Sequence, residues 1–202
     1  MKYFFIDTLG EVDGERAVLD SAPRELGLEY YRLAEGVRIG KAYPADARIY
    51  MSKKYRGVKL DSLLGNTKSY LIVKRPVIEV IEAHSADADI EYLPFTLFNQ
   101  KKRVQSKDYF IVNPVGTLDC LNLESSEIEY LDAKDEPSHG AVVAVEKFVL
   151  DPGKLARAPA LFRIKEEPDR YVINEQLADA FGKAGFTNIL LTEIEQQKRK
   201  SR

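Results

Sequence analysis

The sequence predicts an α+β fold: a mainly antiparallel sheet with two strand–helix–strand units in a single compact domain over residues 1–195, followed by a polar, basic tail at 196–202. Two patterns carry this reading. In residues 107–130, Tyr109 and Ile111 alternate with Phe110 and Val112, and Leu118 and Cys120 with Leu121 and Leu123. Both halves therefore read as strands with apolar side chains on both faces, the mark of a central hairpin, with its turn at Asn113, Pro114 and Gly116. The second pattern is a strand, helix, strand succession that occurs twice at one spacing: Ile72 matches Val172, Val77 matches Leu177, and Ile81 matches Phe181.

Taken in order, residues 2–7 form a short apolar strand, and 8–27, with Gly10, Gly14 and Pro23, a loop carrying a turn of helix. Residues 30–33 and 48–51 are strand candidates, and 58–64 reads as one or two helical turns with Asp61 near its start and Gly65 and Asn66 as a stop. The first repeated unit has a strand at 71–73, a helix with Val77, Val80 and Ile81 on one face, and an extended run at 90–98. Pro76 falls in the first turn of that helix, where a missing N–H costs nothing. Residues 140–150 read as one long strand and 160–164 as a shorter one. The second unit runs from a strand at 171–173 through a helix with Leu177, Ala180, Phe181 and Ala184 to a strand at 189–194, the helix capped by Asn174 and ended by Gly185.

Composition bounds the function. With 202 residues, 45% apolar and 31% charged, the chain can bury a core without disulfides or metals. No apolar run approaches the roughly 20 residues of a membrane helix, and an acid arrives too early in the first eight residues for a signal peptide. The lone Cys120 forms no internal disulfide, so a cytoplasmic location is expected. A net charge of −2 gives no global field for nucleic acid or an anionic membrane. The charge is nevertheless uneven: residues 38–75 hold ten Lys or Arg against Asp46 and Asp61, and residues 118–137 hold seven acids against Lys134. Solvated faces that cancel in the fold explain such runs first.

Candidate chemistry is sparse. Two histidines and one cysteine leave almost nothing for a zinc site, and no phosphate-cradling glycine motif occurs, so neither metal nor cofactor is expected. Cys120 with His139 would be the nucleophile and base of a small hydrolase, but Asp119 and Glu124 beside the thiol work against a thiolate. Glu127 and Glu129 point the same way at strand spacing, in an acidic exposed segment that does not favour acid–base work. His84 suits the end of its helix, and the basic run at Lys101, Lys102 and Arg103 reads as a solubilising turn. The rival to a protein-binding role is a nucleic-acid-binding module using the basic residues between Arg38 and Arg75.

Four stretches, DSLLGN at 61–66, YLPF at 92–95, DYFIVNP with DCLN within 108–122, and LFRI at 161–164 followed by the second unit, together resemble a family of bacterial immunity proteins of polymorphic toxin systems, the immunity protein eleven type. The resemblance implies a cytoplasmic α+β protein that binds a co-encoded toxin and blocks it without catalysis of its own. One departure lies at the first helix, where Lys74, Arg75 and Pro76 replace the Ser and Glu usual in the family. The matching residues are packing residues, with Phe162 in the core, Arg163 beside an acid, and Asn113 with Asp119 at the hairpin turn. The toxin-facing surface is then sought elsewhere. Many toxins that attack nucleic acid carry basic clefts, and Glu124, Glu127, Glu129, Asp132, Asp135 and Glu136 are the residues expected to fill such a cleft as phosphate mimics.

Overall fold

The computed structural model describes residues 1–10, 14–132 and 139–197. In chain order the strands are β1 (Tyr3–Asp7), β2 (Val18–Leu19), β3 (Arg48–Tyr50), β4 (Gly65–Asn66), β5 (Leu71–Lys74), β6 (Ile90–Phe98), β7 (Val104–Pro114), β8 (Glu127–Tyr130), β9 (Val142–Lys147), β10 (Val149–Leu150), β11 (Leu161–Arg163), β12 (Tyr171–Asn174), β13 (Leu190–Glu193) and β14 (Glu195–Gln196). The helices α1 (Arg75–His84) and α2 (Glu175–Lys183) fall where the repeated pattern places them. Two four-stranded sheets dominate, ordered β3-β6-β7-β5 and β11-β12-β1-β13. Pairing is mostly antiparallel, but β3 lies parallel to β6, so the first sheet is mixed.

The two units share an architecture as well as a spacing. In the first, β5 and β6 flank β7 and are both antiparallel to it; in the second, β12 and β13 flank β1 in the same way. Each helix thus links two parallel strands across an inserted antiparallel one. The inserted strand follows its unit in the first case and opens the chain in the second.

Side-chain alternation sorts the interior into layers. On β7, Phe110 and Val112 join a middle cluster that contains Val77, Ile78 and Ile81 of α1 and Leu177 and Phe181 of α2, together with Ile173 of β12 and Ile6 of β1. Tyr109 and Ile111 face the other way, into a cluster closed by Leu19, Leu26, Leu33 and Ile39 of the N-terminal segment. On the second sheet, Val172 and Tyr3 face a third cluster closed by Cys120, Leu121, Leu150 and Leu155. Both helices therefore lie between the sheets, and each sheet's outer face is covered by its own loop-rich layer.

Local chemistry sets the ends of α2. Asn174 Oδ1 accepts the Leu177 N–H at 2.9 Å, filling one of the free donors of the first turn. At the other end Gly185 has φ 67°, its N–H reaches the Gly182 carbonyl and the Phe186 N–H reaches that of Phe181, which together form a Schellman closure. The accompanying apolar contact is Phe181 against Phe186, edge to face at 5.6 Å. On α1, His84 Nδ1 lies 2.8 Å from the Val80 carbonyl in the last turn.

The seam between the halves is held by Arg163 of β11, whose side chain is wholly buried. Its guanidinium donates to the carbonyls of Leu33 (2.7 Å), Ala34 (2.9 Å), Pro114 (3.2 Å) and Pro168, to Tyr171 Oη (2.7 Å) and to Asn113 Oδ1 (3.4 Å). The Tyr171 ring also lies under the guanidinium carbon at 4.1 Å. Among the described residues no acid pairs with Arg163 directly, contrary to expectation. Asn113 instead donates to Glu91 Oε2 at 2.9 Å, so one amide relays between a buried cation and a buried carboxylate. The Glu91 oxygens also accept the N–H groups of Ile39 and Gly40, at 3.0 and 2.7 Å. Gly36 packs over this site with φ 69°; a Cβ there would meet Arg163 Cδ at 2.8 Å and the Gly116 carbonyl at 2.9 Å.

Several expectations fail for tertiary reasons. The hairpin over residues 107–130 does not form: β7 pairs with β6 and β5, and its connection to β6 turns at residues 99–103. Past Gly116 the chain leaves that sheet, and Leu118 and Leu121 make isolated bridges to Ile164 and Leu150. Asp119 is not at a turn with Asn113 but pairs with Lys154 at 2.6 Å on the surface. Residues 58–64 are extended, with bridges from Lys59 to Arg16 and from Leu63 to Val73. Residues 30–33 belong to a 3-10 segment, Arg24–Leu33, kinked at Gly27. The run at 140–150 is split into β9 and β10, which pair with different strands.

Candidate interaction surface

The acidic segment lies on a two-stranded ribbon, β8 with β9, that projects from the third cluster. Its register is set where Ile128 and Val145 pair, since these two side chains and Val142 pack into the cluster. Neighbouring positions must then point away. Glu127 and Glu129 fall on the outward face, as their two-residue spacing predicts. Register shifts on either side of the Ile128–Val145 pairing increase the local twist and leave Val143 and Glu146 exposed. Upstream, Asn122 Oδ1 accepts the Ser125 N–H at 2.9 Å and Ser126 Oγ accepts that of Val149 at 3.1 Å, a turn that holds Glu124 at the surface.

Glu124, Glu127, Glu129 and Asp132 are all exposed, and among the described residues none of the four forms an ion pair. Lys147 is the register partner of Glu127, yet its ammonium goes to Glu195 at 3.3 Å. Asp135 and Glu136 lie outside the described residues. What the sequence did not single out is the exposure of apolar side chains in the same segment: Leu123 is 53% exposed, Tyr130 49% and Val143 55%. Read as sequence they pass for core residues of strands. The signal available was their interleaving with charge in a segment too acidic to be buried on both faces.

The rival sites are not assembled in the same way. Cys120 is fully buried in the third cluster, and burial, reinforced by Glu166 and Asp119, pushes its thiol up to about 12. His139 is exposed beside Gly140 in the connection between β8 and β9, and no hydrogen bond joins it to Cys120. Within the basic stretch Arg38 pairs with Asp89, Arg48 with Asp46 at 2.9 Å and Arg75 with Asp108 at 3.2 Å, so part of that charge is answered inside the fold. Among the described residues no three His, Cys, Asp or Glu side chains gather as they would around a metal ion. Among the described residues no helix is long and apolar enough to cross a membrane.

The stretches that carry the family resemblance serve the interior. Asp61 pairs with Arg16 at 3.2 Å and its carbonyl accepts the Tyr109 hydroxyl at 2.6 Å, Leu63 and Leu64 are buried, and Asn66 Oδ1 caps the turn to Tyr70. Leu93, Phe95, Asn113, Cys120, Phe162 and Arg163 are likewise buried. No curated protein sequence matches the chain significantly. The profile of the immunity protein family (Imm11) matches residues 6–196, nearly the whole chain, so the protein belongs to that family of immunity proteins.

Proposed function

We propose that this chain is the cytoplasmic antidote of a bacterial polymorphic toxin system, binding one co-encoded toxin domain and inhibiting it by occlusion rather than by chemistry of its own. The observation that supports the ribbon as the contact is the combination found on it: unpaired carboxylates at Glu124, Glu127, Glu129 and Asp132 beside exposed Leu123, Tyr130 and Val143. Acids alone are ordinary solvated surface. Carboxylates together with exposed apolar side chains are the components of an interface, whose centre is apolar and whose rim is charged. A basic, partly apolar cleft of the kind that holds a nucleic-acid backbone is the complementary surface, and Asp135 and Glu136 extend the acidic run in sequence.

An inhibitor without chemistry succeeds by affinity and by speed of capture. An interface of roughly 1,600 Å² supplies the first, and charge steering the second. Reversing Glu127, Glu129 and Asp132 together to Lys is expected to slow association with the toxin domain by about tenfold or more at low salt and to flatten its salt dependence. The melting temperature should change little, because the three side chains are exposed and unpaired. Stopped-flow association at several salt concentrations reads this directly. A rate equal to that of the parent at low salt removes the ribbon from the interface.

A further inference from the structure

The fold gathers cations that are far apart in sequence. Arg24 from the N-terminal 3-10 segment, Lys53 from the loop after β3 and Lys102 from the turn between β6 and β7 line one recess of about 360 Å³, with Asp20, Ser21 and Tyr50 between them. Among the described residues neither Lys53 nor Lys102 forms an ion pair, and Asp20 is the only carboxylate in the lining. The Ser21 hydroxyl is buried without a hydrogen-bond partner. Three cationic residues against one carboxylate give the lining of the recess a positive balance, which favours an anion there.

Lys102 is held there at a conformational cost. Its N–H donates to the Asn99 carbonyl at 2.8 Å, and Asn99 Oδ1 accepts the N–H groups of Lys101 and Arg103 at 3.0 and 3.1 Å. This tight hairpin turn sets Lys102 at φ 59°, the left-handed position that glycine ordinarily fills. Among the described residues Ser69 and Asn188 are the other non-glycine residues at positive φ, and Lys102 is the one of the three that carries a charge. Tyr50 in the lining stacks on Phe98 at 5.1 Å, and the Arg24 guanidinium lies 5.9 Å from its ring centroid.

We propose that this recess is a binding site for a small ligand recognised through adjacent phosphate groups, a diphosphate or its ester, with Lys53, Lys102 and Arg24 as the cationic contacts and the Ser21 hydroxyl as a donor. The test uses this chain alone, so its outcome is independent of any toxin. Pyrophosphate titrated at constant ionic strength into the ¹⁵N-labelled protein should give saturable shifts at residues 21, 53 and 102, at least about tenfold tighter than sulfate. Lys53→Ala should weaken binding about tenfold without moving the melting temperature. Lys102→Gly should weaken it similarly while raising the melting temperature by about 1–4 °C, because the strain is released. Shifts that follow ionic strength alone, or binding untouched by both substitutions, would overturn the site. A twelve-residue oligothymidylate that binds far more tightly than pyrophosphate per phosphate would also overturn it, in favour of a polymer backbone.

Discussion

Arg163→Leu is expected to lower the unfolding free energy by about 3–5 kcal/mol, a large share of the 5–15 typical of a natural domain. Leucine removes a buried charge, which by itself is no loss, but it leaves the carbonyls of Leu33, Ala34, Pro114 and Pro168 without the donor they share. Each buried acceptor left unsatisfied costs about 1–3 kcal/mol, and the bonds to Leu33 and Pro114 are the fully buried ones. Arg163→Lys should recover part of the loss, since a single ammonium cannot reach acceptors arranged around a planar fork. Equilibrium denaturation reads both. A midpoint for the leucine variant within error of the parent would mean that the network adds nothing to stability.

Phe181→Ala should cost about 3–5 kcal/mol and Ile81→Ala about 2–5. The two residues occupy matching positions on α2 and α1, both are buried, and both lie in the one cluster that the sheets share. Phe181 also supports the end of α2, because its carbonyl accepts the Phe186 N–H and its ring meets the Phe186 ring. Truncation therefore removes core volume and loosens a helix stop at once. Parent-like midpoints for both variants would show that the layer between the sheets is not the centre of stability.

What the sequence made legible is what is decided within a few residues. Asn174 and Gly185 mark the ends of α2 because a side-chain acceptor and a left-handed backbone act locally. The repeated spacing places both helices because an apolar stripe can be read without knowing what it packs against. The false hairpin at 107–130 shows the limit. A strand apolar on both faces says that it is central but not which strands flank it: β7 pairs with β5 and β6, and Leu118 and Leu121 bridge to Ile164 and Leu150 instead.

The full burial of Arg163 and its carbonyl partners were not legible for a related reason. Arginine is expected at the surface, and its burial depends on carbonyls brought in from residues more than a hundred positions away. A hint existed, since it stands between Phe162 and Ile164 in a strand with no polar alternation. At the ribbon the acids were visible as charge. The exposure of Leu123, Tyr130 and Val143 was not, because hydrophobicity predicts burial and only the tertiary packing shows which side chains find no cluster to enter.

The central claim is inhibition by a stoichiometric protein complex, and titration of the purified chain into the purified toxin domain encoded beside it tests that claim most directly. The expected result is a toxin activity that falls linearly to zero at one molar equivalent, with the two proteins eluting as one species. Full toxin activity in excess of the chain, with the two proteins eluting separately, would contradict it.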